Sequence, residues 1–393
     1  MNTKSHLKLF IIIGVVFAAF STRSPTSGIG PLIPIIQLDL GISSGLSGML
    51  TTIPLILYSA VAAAAWLLPQ HFQMRTQILF GLACSILGVL VRSYFGMWGL
   101  LIGTVLVGVG IGILHVVMPP FLRAHFPEKI GLVMGLYTTC ITVFSAIATG
   151  YVLWLSDALG GWRNALGIFA VIPMIAILVW LPIRDASNSS QLTNNPRESS
   201  GGIPGIITER SYILIALFMG FQSFLFFTMV TWLPSIMMAS GMHGSYAAML
   251  VMVSQLVGCI TRFIFPQLAQ HRPALRGLIG LSGGLCYLAG YLIILASSSL
   301  CLLWVGGILA GFGNGISFSI ALTFVALKSK TQAESMRLSG FSMTFGYAFA
   351  AIGPFLLGFL HDITETFTAS IIVILAVSVA MCYVGKKSGD DLR

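Results

Sequence analysis

Charge is what this chain has least of. Of its 393 residues only 8% are Asp, Glu, Lys or Arg, where a soluble globular domain typically carries about 25%. Hydrophobic residues make up 56%, and the mean hydropathy is +0.95. Those proportions exclude an ordinary water-soluble domain and point to an integral membrane protein. Acids are scarcer than bases, 11 against 20. All of them (Asp39, Glu128, Asp157, Asp185, Glu198, Glu209, Glu334, Asp362, Glu365, Asp390 and Asp391) fall in loops or at the ends of apolar runs. A pump for cations, or one that carries protons through its core, usually needs an acid at mid-membrane depth. Its absence disfavours a cationic cargo and favours an anionic or neutral polar one. The six cysteines lie in apolar runs without metal-ligand spacing, so they read as small core residues, and no metal or cofactor is expected. No G-x-x-x-x-G-K-[ST] occurs, which excludes that cradle for ATP phosphates. His361 and Asp362 are the only tight pair of catalytic residue types. Neighbours in sequence do not face each other on a helix, so no enzyme is expected, and a polytopic membrane enzyme stands only as the class rival.

What the chain does have is long apolar runs. Twelve segments of about 20 residues or more, each able to cross a bilayer, lie near 9–37, 44–67, 76–96, 98–122, 130–156, 162–182, 211–239, 244–267, 274–297, 300–327, 336–360 and 366–384. The first run is too long for a signal-peptide core and leads straight into the second, so no cleavable signal is expected. An even number of spans puts both termini on one side. Every Lys and Arg except Arg23, Arg92, Arg163 and Arg262 then shares that side, which by the positive-inside rule is the cytoplasm. The net charge of +9 is therefore a topology device, not a sign of a nucleic-acid partner.

The one extended polar run, 185–205, is rich in Ser, Asn, Gly and Pro and reads as a flexible cytoplasmic linker. It divides the chain into an N-terminal six-helix bundle (1–184), a linker (185–208) and a C-terminal six-helix bundle (209–393). The halves repeat each other. Pro34, Gly41, Met49 and Leu50 return as Pro234, Gly241, Met249 and Leu250, at an offset of 200. Pro69-Gln70 returns as Pro266-Gln267, and Gly108-x-Gly110-x-Gly112 as Gly311-x-Gly313-x-Gly315. An all-α membrane protein of twelve transmembrane helices in two pseudo-symmetric six-helix bundles is the major facilitator fold. The glycine triplets lack the third glycine of G-x-G-x-x-G and sit inside apolar helices, so they read as close helix packing, not as a nucleotide site.

The candidate site residues begin with Arg23, placed roughly midway along the first run and followed by Pro25, Pro31 and Pro34. A guanidinium at that depth costs at least about 2.5–3.5 kcal/mol unless compensated. Each proline frees the carbonyl four residues back, those of Ser21, Ser27 and Gly30. Either those carbonyls and water satisfy Arg23, or Arg23 attracts an anionic or dipolar solute. His115 in the fourth span either binds substrate, with titration near neutrality, or makes a neutral contact between helices. Arg92, near the outer end of the third span, reads as a snorkelling interfacial arginine, with an electrostatic collar for entering anions as the alternative. In the second half Gln222 and Phe226 share a helix face at i, i+4, and Gln255, Asn314 and Tyr347 lie mid-span. Amides can hydrogen-bond a solute while aromatics shape a small pocket, or they can bond neighbouring helices instead. Arg75 and Arg262, near the cytoplasmic ends of their spans, are the candidate gating residues.

TRSPTSGIGPLIPIIQ in the first span, VRSYF ending the third, GVGIGILHVVMPPFLRAHFP through the fourth and TWLPSIMMASG ending the seventh resemble the cyanate and 2-nitroimidazole transporter branch of the major facilitator superfamily. The resemblance runs along nearly the whole chain. It implies a bacterial inner-membrane secondary transporter working by alternating access, with Arg23, His115 and Gln222 lining its central cavity. That branch more often has an amide at the position of His115, which argues against a proton role there. PQHFQMRTQ, 69–77, departs from the superfamily loop signature, with Gln70 and His71 at usually charged positions and Gln73 replacing a glycine. The fifth span lacks the G-P-x-x-x-G-G of drug–proton antiporters. The expected cargo is a small anionic or dipolar solute, cyanate-like or nitroimidazole-like; the alternative is efflux of neutral or cationic drugs. Expected partners are that solute and membrane lipid, with protons as a candidate coupling ion, no nucleic acid, and a monomeric state.

Overall fold

A computed structural model describes residues 3–67, 73–126, 130–183, 209–329 and 332–392. The expected linker at 185–208, and Pro69, Gln70 and His71 of the departing loop, lie outside the described residues. The rest is all-α. The first unit contains α1 (Thr3–Ser27), α2 (Ile29–Leu40), most of α3 (Ser44–Leu67), α4 (Met74–Tyr94), α5 (Gly96–His125), α6 (Ile130–Ala158), α7 (Trp162–Gly167) and α8 (Val171–Trp180). The second contains α9 (Arg210–Ala239), α10 (Gly244–His271), α11 (Arg276–Ala296), α12 (Leu300–Lys328), α13 (Gln332–Thr364) and α14 (Thr368–Asp390). Among the described residues 12 segments are long and apolar enough to cross a membrane, the number read from the sequence. Grouped by proximity, the first unit lies within Met1–Leu40 and Ile53–Asn195, the second within Gly41–Thr52 and Pro196–Arg393.

Glycine sets how closely the helices approach. In the first unit α4 packs along α5. A methyl group on Gly81 would meet the Gly110 carbonyl at 2.9 Å, and one on Gly110 would meet Ser85 Oγ at 2.6 Å. The triplets read from the sequence serve two neighbours each. Gly108 and Gly112 face Leu57 and Val61 of α3, while Gly110 faces α4. Gly311 and Gly315 face Ser254 and Gly258 of α10, while Gly313 faces Gly283 and Tyr287 of α11. Glycines at i and i+4 open one helix face and the glycine between them opens another, so one helix can be held tightly by two partners. Both units use the device at the corresponding helix.

The first turns of α3 belong with the second unit because they are tied to the end of α13. The Asp362 carboxylate accepts from the Ser44 and Gly45 amides, at 2.7 Å each, and Ser44 Oγ lies 3.1 Å from His361 Nδ1. Two otherwise orphaned donors of the α3 N-terminus are thereby satisfied by an anion, which the helix dipole also favours. The Thr52 hydroxyl donates to the Ala351 carbonyl at 2.7 Å and Trp232 Nε1 to the Pro354 carbonyl at 2.8 Å. His361 and Asp362 thus reach one serine, yet the carboxylate serves helix amides and does not orient the imidazole.

Overpacking a close crossing costs about 1–3 kcal/mol. Gly110→Leu is expected to lower the thermal midpoint of the purified protein by several degrees. Gly135→Ala, whose added methyl meets nothing within 4 Å, should hold or raise it, since Ala in a helix is favoured over Gly by about 0.8–1.0 kcal/mol. Equal melting of the two variants would refute the close-packing account.

Candidate functional site

The first unit gathers a group of basic and aromatic residues around the break between α1 and α2. The sequence suggests one continuous helix over 9–37; the structure interrupts it at Gly28. Pro31 has no N–H to give the Ser27 carbonyl, and that carbonyl accepts instead from Thr149 Oγ1 of α6 at 3.2 Å. Ser27 Oγ and Ser145 Oγ are 2.7 Å apart. The hydroxyls of Ser21, Thr22 and Ser24 bond back to the carbonyls of Phe17, Ala19 and Phe20, a pattern that bends helices. The freed Ser27 carbonyl thus finds a partner on α6.

Arg23 lies half-buried just before this break. It is within electrostatic range of His115 on α5, which is also half-buried, and whose Nε2 has no hydrogen-bond partner among the described residues. The His115 ring meets the Tyr58 ring of α3 edge-on, with centroids 5.7 Å apart. Tyr58 is in turn within electrostatic range of Arg92. One ring contact and two electrostatic interactions thus relate four side chains from α1, α3, α4 and α5: Arg23, His115, Tyr58 and Arg92.

Arg92 corrects the sequence reading most sharply. It does not snorkel: it is 0% exposed, and all three guanidinium nitrogens are buried without a hydrogen-bond partner among the described residues. The cause is the glycine crossing. A methyl on Gly103 of α5 would lie 2.6 Å from Arg92 Cβ, and one on Gly88 would meet the Val107 amide at 2.6 Å. The two helices close over the arginine stem and leave it no route outward. Tyr58 was missed because a lone tyrosine in an apolar run carries no signal. For Arg92 the signal was present in Gly88, one helical turn before it.

The described ion pairs of the acids lie elsewhere. Asp39 pairs with Arg163 at 2.7 Å and Glu209 with Lys328 at 2.6 Å, while Asp362 holds the α3 amides. No group of three or more His, Cys, Asp or Glu able to hold a metal occurs among the described residues.

In the second unit the sequence candidates are only partly brought together. Phe226 stacks edge-on with Phe227 at 5.0 Å, and Phe227 meets Tyr347 of α13 at 6.2 Å, so these three rings form one aromatic cluster. Gln222 is buried; its amide donates to Ser223 Oγ at 2.8 Å, and its Oε1 has no partner among the described residues. Asn314, between two packing glycines of α12, is buried with Nδ2 unpartnered among the described residues. Gln255 on α10 is fully buried. No hydrogen bond joins Gln222 to Asn314. The candidate gating residues have contacts within their own units. Arg75 donates to the Leu181 carbonyl, and Arg262 lies 5.1 Å over the Phe318 ring, a cation–π contact.

Comparison with known proteins gives a consistent picture. The family model of the Major Facilitator Superfamily matches residues 11–354. An uncharacterized transporter of Bacillus subtilis (strain 168), YycB, is 32% identical over 99% of this chain and 96% of its own length. The 2-nitroimidazole transporter of Escherichia coli (strain K12) is 25% identical, over 98% of this chain and 96% of its own. The cyanate transport protein CynX of the same organism is 24% identical over 91% of each. Among solved structures, the nucleoside transporter NupG superposes with a TM-score of 0.74 at 12% identity, covering 99% of this chain and 99% of its own; at that identity the likeness is one of fold.

A buried polar atom without a partner is a cost that substitution can relieve. Asn314→Ala is expected to keep folding stability within about 1 kcal/mol, lost packing being offset by removal of an unsatisfied donor. A melting curve showing a loss above about 3 kcal/mol would mean that the amide is a structural strut.

Proposed function

Because the chain belongs to the Major Facilitator Superfamily, we propose that this multi-pass membrane transporter carries a small anionic or strongly dipolar solute, cyanate-like or nitroimidazole-like, across a bacterial inner membrane by alternating access. One observation carries the reading: in the first unit Arg23 and Arg92 flank His115 and Tyr58, while the described acids are engaged elsewhere or lie at helix ends. A cationic solute would meet repulsion there, whereas an anion would supply the complementary charge. The relatives named for cyanate and 2-nitroimidazole support the same chemical class.

In this reading Arg23 attracts the solute, and His115 offers it a ring nitrogen. In the second unit the Gln222 Oε1 and Asn314 Nδ2, unpartnered among the described residues, provide an acceptor and a donor for a small polar solute, with Phe226 and Tyr347 as apolar walls. Gln255 is held as a further candidate contact, and Arg75 and Arg262 as gating residues. The termini lie in the cytoplasm, on the asymmetry of basic residues. The bundles, 1–184 and 209–393, act as the two moving bodies, with the linker 185–208 joining them.

Uptake into proteoliposomes of labelled cyanate, a small monocarboxylate, a 2-nitroimidazole and a cationic dye tests this directly. Wild type is expected to take up one of the first three. Arg23→Gln should lower the apparent affinity about tenfold to a hundredfold, the loss of one charge-assisted hydrogen bond of about 1.5–3 kcal/mol. Dye transport indifferent to Arg23 would replace the reading with drug efflux and leave the arginine a structural role.

A further inference from the structure

Arg92 holds a charge that nothing described around it answers. The guanidinium stays protonated in proteins, so burial cannot be relieved by losing the proton. Its five donors face no acceptor among the described residues, and its stem is enclosed where α4 and α5 cross at Gly88 and Gly103. An unpaired buried charge is among the more costly features a fold can carry. The group within its electrostatic range is the buried phenol of Tyr58, a hydroxyl able to donate to an anion. Beyond Tyr58 the His115 ring follows, with Nε2 likewise unpartnered among the described residues. Arg92 lies two residues from the Tyr94 end of α4, and Arg23 four residues from the Ser27 end of α1.

We propose that Arg92 and Tyr58 form a second anion subsite inside the first unit, distinct from Arg23, that takes a small monovalent anion with two acceptor oxygens at one end, a short carboxylate such as acetate. The guanidinium fork matches such an anion with two parallel hydrogen bonds, and the Tyr58 hydroxyl supplies a third donor. Tyr58 and His115 then separate two stations, so a permeating anion leaves one arginine for the other without facing an unscreened apolar step. Two weaker sites in series also let an ion enter and leave, where one deep site would trap it. The inference deepens the anion reading and rests on it.

The test uses the purified full-length chain in detergent. Sodium cyanate and sodium acetate are titrated against sodium gluconate at constant ionic strength. The readouts are the thermal midpoint and equilibrium binding of labelled acetate, for wild type, Arg23→Gln, Arg92→Gln, Arg92→Lys and the double Gln variant. Wild type should show two saturable components. Arg23→Gln should keep one of them, Arg92→Gln should lose that one, and the double variant should lose both. Arg92→Lys, which keeps the charge and loses the fork, should weaken that component about tenfold. If Arg92→Gln fails to fold, Tyr58→Phe in the Arg23→Gln background should still weaken the remaining component several-fold. A single component abolished by Arg23→Gln alone would overturn the subsite and leave the anion reading standing. A component remaining in Arg23→Gln that is unchanged by Arg92→Gln, or by Tyr58→Phe where Arg92→Gln does not fold, would also overturn it. No anion response in wild type would overturn both.

Discussion

The structure turns on positive charge buried where no described carboxylate meets it. In most proteins a buried arginine is answered by an acid, and its cost is settled within the fold. Here the described acids are committed elsewhere or lie at helix ends: Asp39 to Arg163, Glu209 to Lys328, Asp362 to the start of α3. In the first unit the buried Arg92 guanidinium is left without a hydrogen-bond partner among the described residues. That charge is a liability for stability, and under the proposed function a passing anion would offset it.

Glycine makes that burial possible. An arginine near the end of a membrane helix normally reaches the interface along its flexible stem. The α4–α5 crossing at Gly88 and Gly103 removes that route. The same small-residue packing recurs in the second unit around Gly258, Gly311 and Gly315, where Asn314 is buried with its Nδ2 unpartnered among the described residues. In both units a close crossing buries a polar group that lacks a hydrogen-bond partner among the described residues.

Much of this was legible in the sequence. Span number follows from hydropathy because every backbone group in lipid must bond within its own helix. The glycine triplets announced close packing, and the absence of acids from the spans is where the proposal of an anionic or dipolar cargo starts. The direction in which a side chain faces was not legible, since it depends on several helices at once. Arg92 looked like an interfacial residue because its position in the run was read without its α5 partner. Tyr58 became visible only when α3 lay against α5. The break at Gly28 was half legible: the prolines predicted freed carbonyls, but nothing local pointed to Thr149, more than a hundred residues on, as the partner for Ser27. The Asp362 contact with Ser44 was hidden by a still greater distance in sequence, 318 residues.

The central claim is one of sign, and competition measures sign most directly. Labelled cyanate would be bound to the purified protein and challenged with unlabelled small anions and with cations of similar size. Displacement by acetate and thiocyanate, with guanidinium and tetramethylammonium inert, is the result the buried cations require. Displacement by the cations, with the anions inert, would contradict the account.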